Sequence, residues 1–322
     1  MRAPEFWAGP GDGGWRARLL LPLAALWRRV TRRRLVRGGP GFDPGIPVIC
    51  IGNVTAGGTG KTPFAIEVAS RLKAAGHRPH FLSRGHGGSA RGVTRVEGQG
   101  AAAVGDEPLL LAAVAPAWVA RDRVAGARAI AAAGADVIIM DDGFQNPALK
   151  KTLSFLVLDG GAGLGNGRVI PAGPLREDWL DARARADAIV IIGEGRHPLP
   201  PAGDLPLFRA AIRPLAGERF AGRRVLAFAG IGRPGKFFDS LAGCGADLVA
   251  TRAFADHHAF TAAEIDALRR EAAAMGAVLV TTAKDAARLS PAQCAGIEVL
   301  EIALDVGESA ALDQLLGQPF RD

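Results

Sequence analysis

Short apolar runs alternate with amphipathic stretches through most of this chain. Residues 47–51, 80–82, 117–119, 136–140, 153–159 and 188–192 are continuous apolar runs too short for helices, and they read as buried strands. Between them, 62–75, 107–115 and 121–133 show helical spacing; in the first, Phe64, Ile66, Val68, Ala69 and Leu72 fall on one side. This βαβ rhythm predicts a mostly parallel sheet covered by helices on both faces. A second set starts near Arg223, with strands at 225–229, 247–249 and 278–282 and helices at 234–241 and 261–275. Thr261 and Glu264 have the spacing of a capping box at the start of the last helix. The proline-rich stretch 197–206 separates the two sets.

The pattern therefore divides the chain into four parts. Residues 1–39 form an arm, 40–206 a first α/β domain, 207–222 a linker and 223–322 a second, smaller α/β domain. The second domain is expected to include a return strand near 297–303 and a C-terminal helix. With 322 residues and 48% hydrophobic content, the chain has ample material for two cores, which excludes global disorder. Cys50, Cys244 and Cys294 are far apart and match no metal spacing, so free thiols of a reducing compartment are expected.

Charge changes the picture only at the N-terminus. The whole chain has 39 basic and 32 acidic residues. Nine arginines fall within 1–39 beside only Glu5 and Asp12, so the remainder balances. A neutral body argues against a nucleic-acid groove, and the basic arm predicts one anionic partner. The apolar segment 19–27 is too short to span a bilayer, and RRVTRRR follows where a signal peptide would have small residues. An interfacial helix fits better: Leu19, Leu20, Leu23, Leu26 and Trp27 form an apolar stripe, while Arg16, Arg28 and Arg32 can reach head groups. Pro22 would kink this helix or sit in its first turn.

The candidate chemistry begins right after the first strand. Residues 52–63 read GNVTAGGTGKTP, a glycine-rich turn ending in Lys-Thr. Such a turn cradles phosphates with backbone N–H groups, a lysine and a helix N-terminus. Thr55, Ala56, Gly57, Gly58, Thr59, Gly60, Lys61 and Thr62 form the loop; Thr55 stands where the strict motif has glycine. Some eighty residues on, an apolar strand ends in Asp141-Asp142, the expected anchor for the Mg²⁺ that accompanies a triphosphate. The fold class is thus α/β, a P-loop NTPase-like sheet sandwiched by helices. Three further groups have open readings. Asp106-Glu107 starts a helix, as a cap or as a general base. Asp256-His257-His258 lies between Phe254 and Phe260, structural or chemical. Arg176-Glu177 follows PAGPL as a surface ion pair or a site element. Lys284-Asp285 lacks the asparagine of a guanine-reading loop, which favours ATP over GTP.

Taken in order, GNVTAGGTGKTP, SRGHGG, GDEP, DDGFQ, PAGPLRE, DHHAFT and TTAKDAARL resemble the tetraacyldisaccharide 4′-kinase family over roughly residues 5–305. The resemblance implies transfer of the ATP γ-phosphate to the 4′-hydroxyl of a tetraacylated glucosamine disaccharide 1-phosphate in lipid A synthesis. It also implies a monotopic protein on the cytoplasmic face of the inner membrane, two α/β/α domains joined by a two-stranded linker, and no obligate protein partner. Carried over by residue, Lys61 and Thr62 contact phosphate and Mg²⁺. Asp106 resembles the base and His257 its partner from the other domain. Asp141, Asp142, Gln145 and Glu177 resemble the set around Mg²⁺, and Arg123 and Arg176 the arginines near the phosphates. The chain departs from the family pattern at Asn146, usually His, and at His86, usually Tyr. The competing classes are a membrane-positioned switch ATPase, against which Ala56 stands where several such proteins have lysine, and a non-catalytic nucleotide module.

Overall fold

The computed structural model describes residues 4–9, 11, 13–195, 202–307 and 309–321. Of the proline-rich stretch, 197–201 lie outside the described residues, as do Arg2 and Asp12 of the arm.

The arm is two helices, α1 (Gly14–Leu19) and α2 (Leu21–Arg37), with Pro22 in the first turn of α2, where its missing N–H is no loss. The first domain then runs β1 (Val48–Gly52), α3 (Lys61–Ala74), β2 (Pro79–Ser83), β3 (Val93–Arg95), α4 (Ala101–Val104), α5 (Asp106–Ala112), β4 (Ala117–Ala120), α6 (Arg123–Ala132), β5 (Val137–Asp141), β6 (Leu153–Asp159), α7 (Trp179–Arg183), β7 (Ala188–Ile192) and β8 (Leu207–Pro214). The second contains β9 (Arg224–Ala229), α8 (Pro234–Gly243), β10 (Asp247–Ala253), α9 (Ala262–Ala274), β11 (Val278–Thr282), α10 (Ala283–Ala286), α11 (Pro291–Cys294) and β12 (Ile297–Leu300). The chain ends with β13 (Ile302–Val306) and α12 (Ser309–Gly317).

The large sheet has the order β13-β8-β7-β6-β1-β5-β2-β4-β3. Only the two edges are antiparallel, β13 on β8 and β3 on β4. Strands β1, β2, β5, β6 and β7 are buried along their whole length, which explains their unbroken apolar runs. One core packs Phe64, Val68 and Leu72 of α3 against one face of the sheet; another covers the opposite face with Ile130 of α6 and Ala182 of α7. The small sheet, β10-β9-β11-β12, is all parallel. Thr261 and Glu264 close the capping box at the start of α9.

The domain boundaries differ from the sequence reading. Residues 207–214 are not free linker: β8 pairs with β7 and is part of the large sheet. The strand at 297–300 belongs to the small sheet, and the returning strand is β13, beside β8. The C-terminal helix belongs to the first domain, because Leu312, Leu315 and Leu316 of α12 join the core with Phe64 and Leu72, and Arg71 of α3 pairs with Asp313 at 2.8 Å. An amphipathic helix is legible in sequence, but the core it covers is not. The two domains are therefore joined by an antiparallel pair, with Ala216 in a left-handed conformation (φ 49°) just after β8.

Candidate active site

Strand β1 lies between β5 and β6, so the phosphate loop and the Asp141-Asp142 pair emerge side by side at the C-terminal ends of neighbouring parallel strands. Crevices in open α/β sheets bind ligands at this edge. Gly60 caps α3 with φ +87°, and a Cβ there would lie 2.6 Å from Ile192 Cδ1. The Asn53 side chain donates to the Thr55 carbonyl at 2.8 Å and to Thr59 Oγ1 at 3.2 Å, shaping the loop from inside. The loop is braced externally by the segment after Pro174: Ala56 N donates to the Pro174 carbonyl (2.8 Å), and Arg176 N to that of Val54 (2.7 Å).

Lys61 Nζ lies 3.5 Å from Asp142 Oδ1, and Arg176 donates to the same oxygen at 2.9 Å. Thr62 Oγ1 lies 3.4 Å from Asp141 Oδ2. The two adjacent acids are driven apart. Burial, with the Glu107 charge nearby, pushes the Asp141 carboxyl above its ordinary range. For Asp142 burial acts the same way, but Lys61 and Arg176 outweigh it and hold the carboxyl low. Asp141 Oδ1 is buried with no hydrogen-bond partner, and Asp142 has a left-handed backbone (φ 52°), a conformation costing about 1 kcal/mol or more outside glycine. A buried oxygen without a donor beside a triphosphate loop has the chemistry of a cation ligand, so the donor set fits Mg²⁺.

The remaining expected metal residues are engaged with one another. Gln145 Nε2 donates to the Asn53 carbonyl (2.8 Å) and to Glu177 Oε1 (3.0 Å), and Glu177, almost fully buried, is paired with Arg185. No group of three or more His, Cys, Asp or Glu side chains forms a metal cage among the described residues. This suits Mg²⁺, which takes one or two carboxylates and fills its other positions with water and phosphate oxygens. Arg123 lies within electrostatic reach of Asp141 and Asp142. Its guanidinium is buried and donates to the carbonyls of Ser83 (3.0 Å) and Ala120, closing the ends of β2 and β4; burial, then the charge of Arg84, lowers its pKa to about 10.

The second domain contributes a cluster around Asp106, the first residue of α5. His257 Nδ1 lies 3.1 Å from Asp106 Oδ2, while Oδ1 accepts from Glu107 N at 2.9 Å. His257, like Asp142, has a left-handed backbone (φ 59°). His258 turns elsewhere, to Glu264 at 3.0 Å, and stacks on Phe254. His86 stands beside His257 with ring centroids 5.9 Å apart. Arg288 and Lys284, which the sequence reading did not include in the site, also face Asp106. Arg288 Nε is 2.9 Å and Lys284 Nζ 3.8 Å from Oδ2, and Lys284 is 3.2 Å from Glu107. Both lie in TTAKDAARL, so the signal was present without a role attached. A second bridge forms at the end of β6, where Asp159 pairs with Arg233 (2.8 Å) and Lys236 (2.6 Å) of the second domain.

The arm also reaches the site. Trp27 Nε1 of α2 donates to the Arg176 carbonyl at 2.9 Å, and Arg28 and Arg32 face Asp178 and Asp181 at 3.6 and 3.9 Å.

Residues 16–321 match a protein-family model described as tetraacyldisaccharide-1-P 4′-kinase, LpxK. The chain belongs to this family. A tetraacyldisaccharide 4′-kinase from Rhodospirillum centenum is 53% identical, over 98% of this chain and 96% of that relative. One from Gluconacetobacter diazotrophicus is 51% identical, over 98% and 97%. The crystal structure of LpxK from Aquifex aeolicus in complex with ATP superposes with a TM-score of 0.79 at 26% identity, covering 95% of this chain and 99% of that one. Family membership makes the chain a lipid A-precursor kinase, and the fold is that of its solved relative.

Proposed function

We propose that this kinase uses ATP and Mg²⁺ to phosphorylate the 4′-hydroxyl of tetraacyldisaccharide 1-phosphate on an anionic membrane surface, the cytoplasmic face of the inner membrane. The observation that carries the reading is a triphosphate loop held against the Asp141-Asp142 strand end, with the Asp106–His257 pair joined to it through Glu107, whose charge reaches Asp141. In this reading, residues 55–62 wrap the phosphates with backbone N–H groups, and Lys61 leaves Asp142 for the phosphoryl oxygens. Asp141, Asp142 and Thr62 would hold Mg²⁺, which neutralises the phosphate charge when bound. Gln145 and Glu177 position these groups from behind, and Arg176 balances Asp142.

The proton route reverses the roles implied by the resemblance. Both oxygens of Asp106 are occupied. Burial opposes ionisation there, but His257, Lys284 and Arg288 outweigh it and hold the carboxyl well below the usual carboxylate range. Such an anion is a weak base but a good anchor. Asp106 accepts the Nδ1–H of His257, fixing the tautomer that leaves Nε2, which has the Asp256 carboxylate 3.8 Å away, unprotonated to take the 4′-hydroxyl proton as the sugar oxygen bonds to phosphorus.

The arm supports a peripheral seat. No helix among the described residues is long and apolar enough to cross a membrane. Leu19, Leu23, Leu26 and Val30 are exposed, and a groove of about 650 Å³ on α2 is lined by Arg28, Arg29, Arg32, Arg33 and Arg37. Apolar stems with guanidinium groups beside them suit an interface of acyl chains and anionic head groups.

The test is incubation with ATP, Mg²⁺ and the disaccharide 1-phosphate in mixed micelles, followed by mass analysis. One phosphate added to the sugar, lost in His257→Ala and in Asp106→Ala, is the expected result. Free phosphate without lipid product would overturn the reading in favour of a hydrolase.

A further inference from the structure

We propose that Arg288 is a positioning residue for the phosphoryl transfer: from the second domain it fixes the Asp106 carboxylate against His257 and supplies the positive charge that tunes the pair. The inference rests on the proton route above.

Arg288 is set in place by its own domain before it reaches Asp106 of the first domain. Its Nη1 donates to the Gly230 carbonyl at the end of β9 and to Asp285 Oδ1, both at 2.8 Å. Asp285 is completely buried, and is itself held by Gly230 N (3.0 Å) and Thr282 Oγ1 (2.6 Å). The other side of the guanidinium, Nε and Nη2, meets Asp106 Oδ2. Both side chains are nearly inaccessible, at 6% and 4% exposure. A planar fork fixed on one edge and bonded through the other is a rigid spacer between domains, a task a flexible ammonium does not perform.

The electrostatics follow from who faces Asp106. His257 comes from the loop after β10, Lys284 from α10, Arg288 from the turn that follows α10, and Glu107 from its own helix; His86 flanks the histidine. Arg288 is the cation in closest contact with the carboxylate. Its loss would remove one of the groups that offset desolvation of the buried Asp106 carboxylate, leaving His257 and Lys284, and Asp106 would hold its proton to higher pH. Loss of a neighbouring positive charge raises the pKa of a carboxyl. An acidic limb set by ionisation of the Asp106 anchor therefore moves upward.

Two substitutions separate charge from geometry. Arg288→Met is expected to lower kcat at least tenfold, move the acidic limb of the kcat profile up by about one pH unit and leave the KM for ATP unchanged, since Arg288 does not touch the phosphate loop. Arg288→Lys is expected to lower kcat with the limb in place, because the charge remains and the fork is gone. A wild-type limb in Arg288→Met, with kcat reduced equally at all pH, would leave Arg288 a structural residue only and overturn the proposal. So would a changed ATP KM at constant kcat, which would make it a nucleotide ligand. Should Arg288→Met fail to fold, Arg288→Lys decides alone: wild-type kcat in it refutes the need for the fork. Wild-type protein that leaves the lipid unphosphorylated would instead refute the kinase reading, before Arg288 is in question.

Discussion

Gly52→Ala should damage this enzyme from a position where the side chain gained is a single methyl group. Gly52 closes β1, three residues before the phosphate loop, and its neighbour across the sheet edge is Phe144 of the DDGF segment. A Cβ on Gly52 would lie 2.3 Å from Phe144 Cβ, 3.1 Å from its backbone N and 3.3 Å from its Cα. Carbon atoms in contact settle at about 3.5–4.0 Å, so the segments must part by more than about 1 Å. Neither can retreat freely. Phe144 is fully buried with Arg185 and Lys151 over its ring, and Asp142 N is bonded to the Ile51 carbonyl at 2.9 Å. Overpacking of this kind costs about 1–3 kcal/mol. In a domain of this size that lowers the melting midpoint by about 2–4 °C per kcal/mol, so a fall of roughly 2–12 °C is expected. The same separation moves the loop away from Asp141 and Asp142, so ATP affinity should fall at least tenfold. Thermal melts with and without ATP-Mg²⁺, alongside direct ATP titration, measure both. A Gly52→Ala protein that melts and binds ATP like wild type would refute the claim that the two halves of the site are in van der Waals contact.

Asp159→Asn should loosen the domain interface by about 1–2 kcal/mol at neutral pH, since it removes the charge that Lys236 and Arg233 share. Burial opposes ionisation of Asp159, but Lys236 and Arg233 hold its carboxyl below the ordinary value. Its stabilisation is therefore complete above about pH 4 and disappears as pH falls through the lower folded value, so wild type and variant should converge in acid unfolding. Lys61→Met should lower kcat about 100-fold or more while Asp142 keeps Arg176, read by steady-state kinetics. Replacing the exposed Leu19, Leu23 and Leu26 by Ser should weaken sedimentation with anionic vesicles without shifting the melting midpoint, because these side chains cover no core; unchanged sedimentation would remove the interfacial role of the arm.

The strand–loop–helix at 48–74 and the apolar strand ending at Asp141 were legible because burial on both sheet faces leaves uninterrupted apolar runs, and because a glycine-rich turn has few other uses. Less was visible where the deciding partner is distant in sequence. The C-terminal helix carries an ordinary apolar stripe, and only the fold reveals that Leu312 and Leu316 pack beside Phe64. The resemblance placed Arg123 near the phosphates, but not its bonds to the carbonyls at the ends of β2 and β4. Gln145 and Glu177 were grouped with the metal, but they bond to each other and to Arg185. Arg288 lies 182 positions from Asp106, and no local pattern announces that contact.

The hydrogen bond from Trp27 to the Arg176 carbonyl makes the arm more than a tether. The strip from Pro174 to Asp181 touches the phosphate loop along one border and α2 along the other. Trimming the chain to start at β1, the usual route to a more tractable preparation, would strip a wall from the very strip that carries Arg176. Solubility gained that way would come out of turnover, because the segment that carries Arg176 would lose its backing from α2.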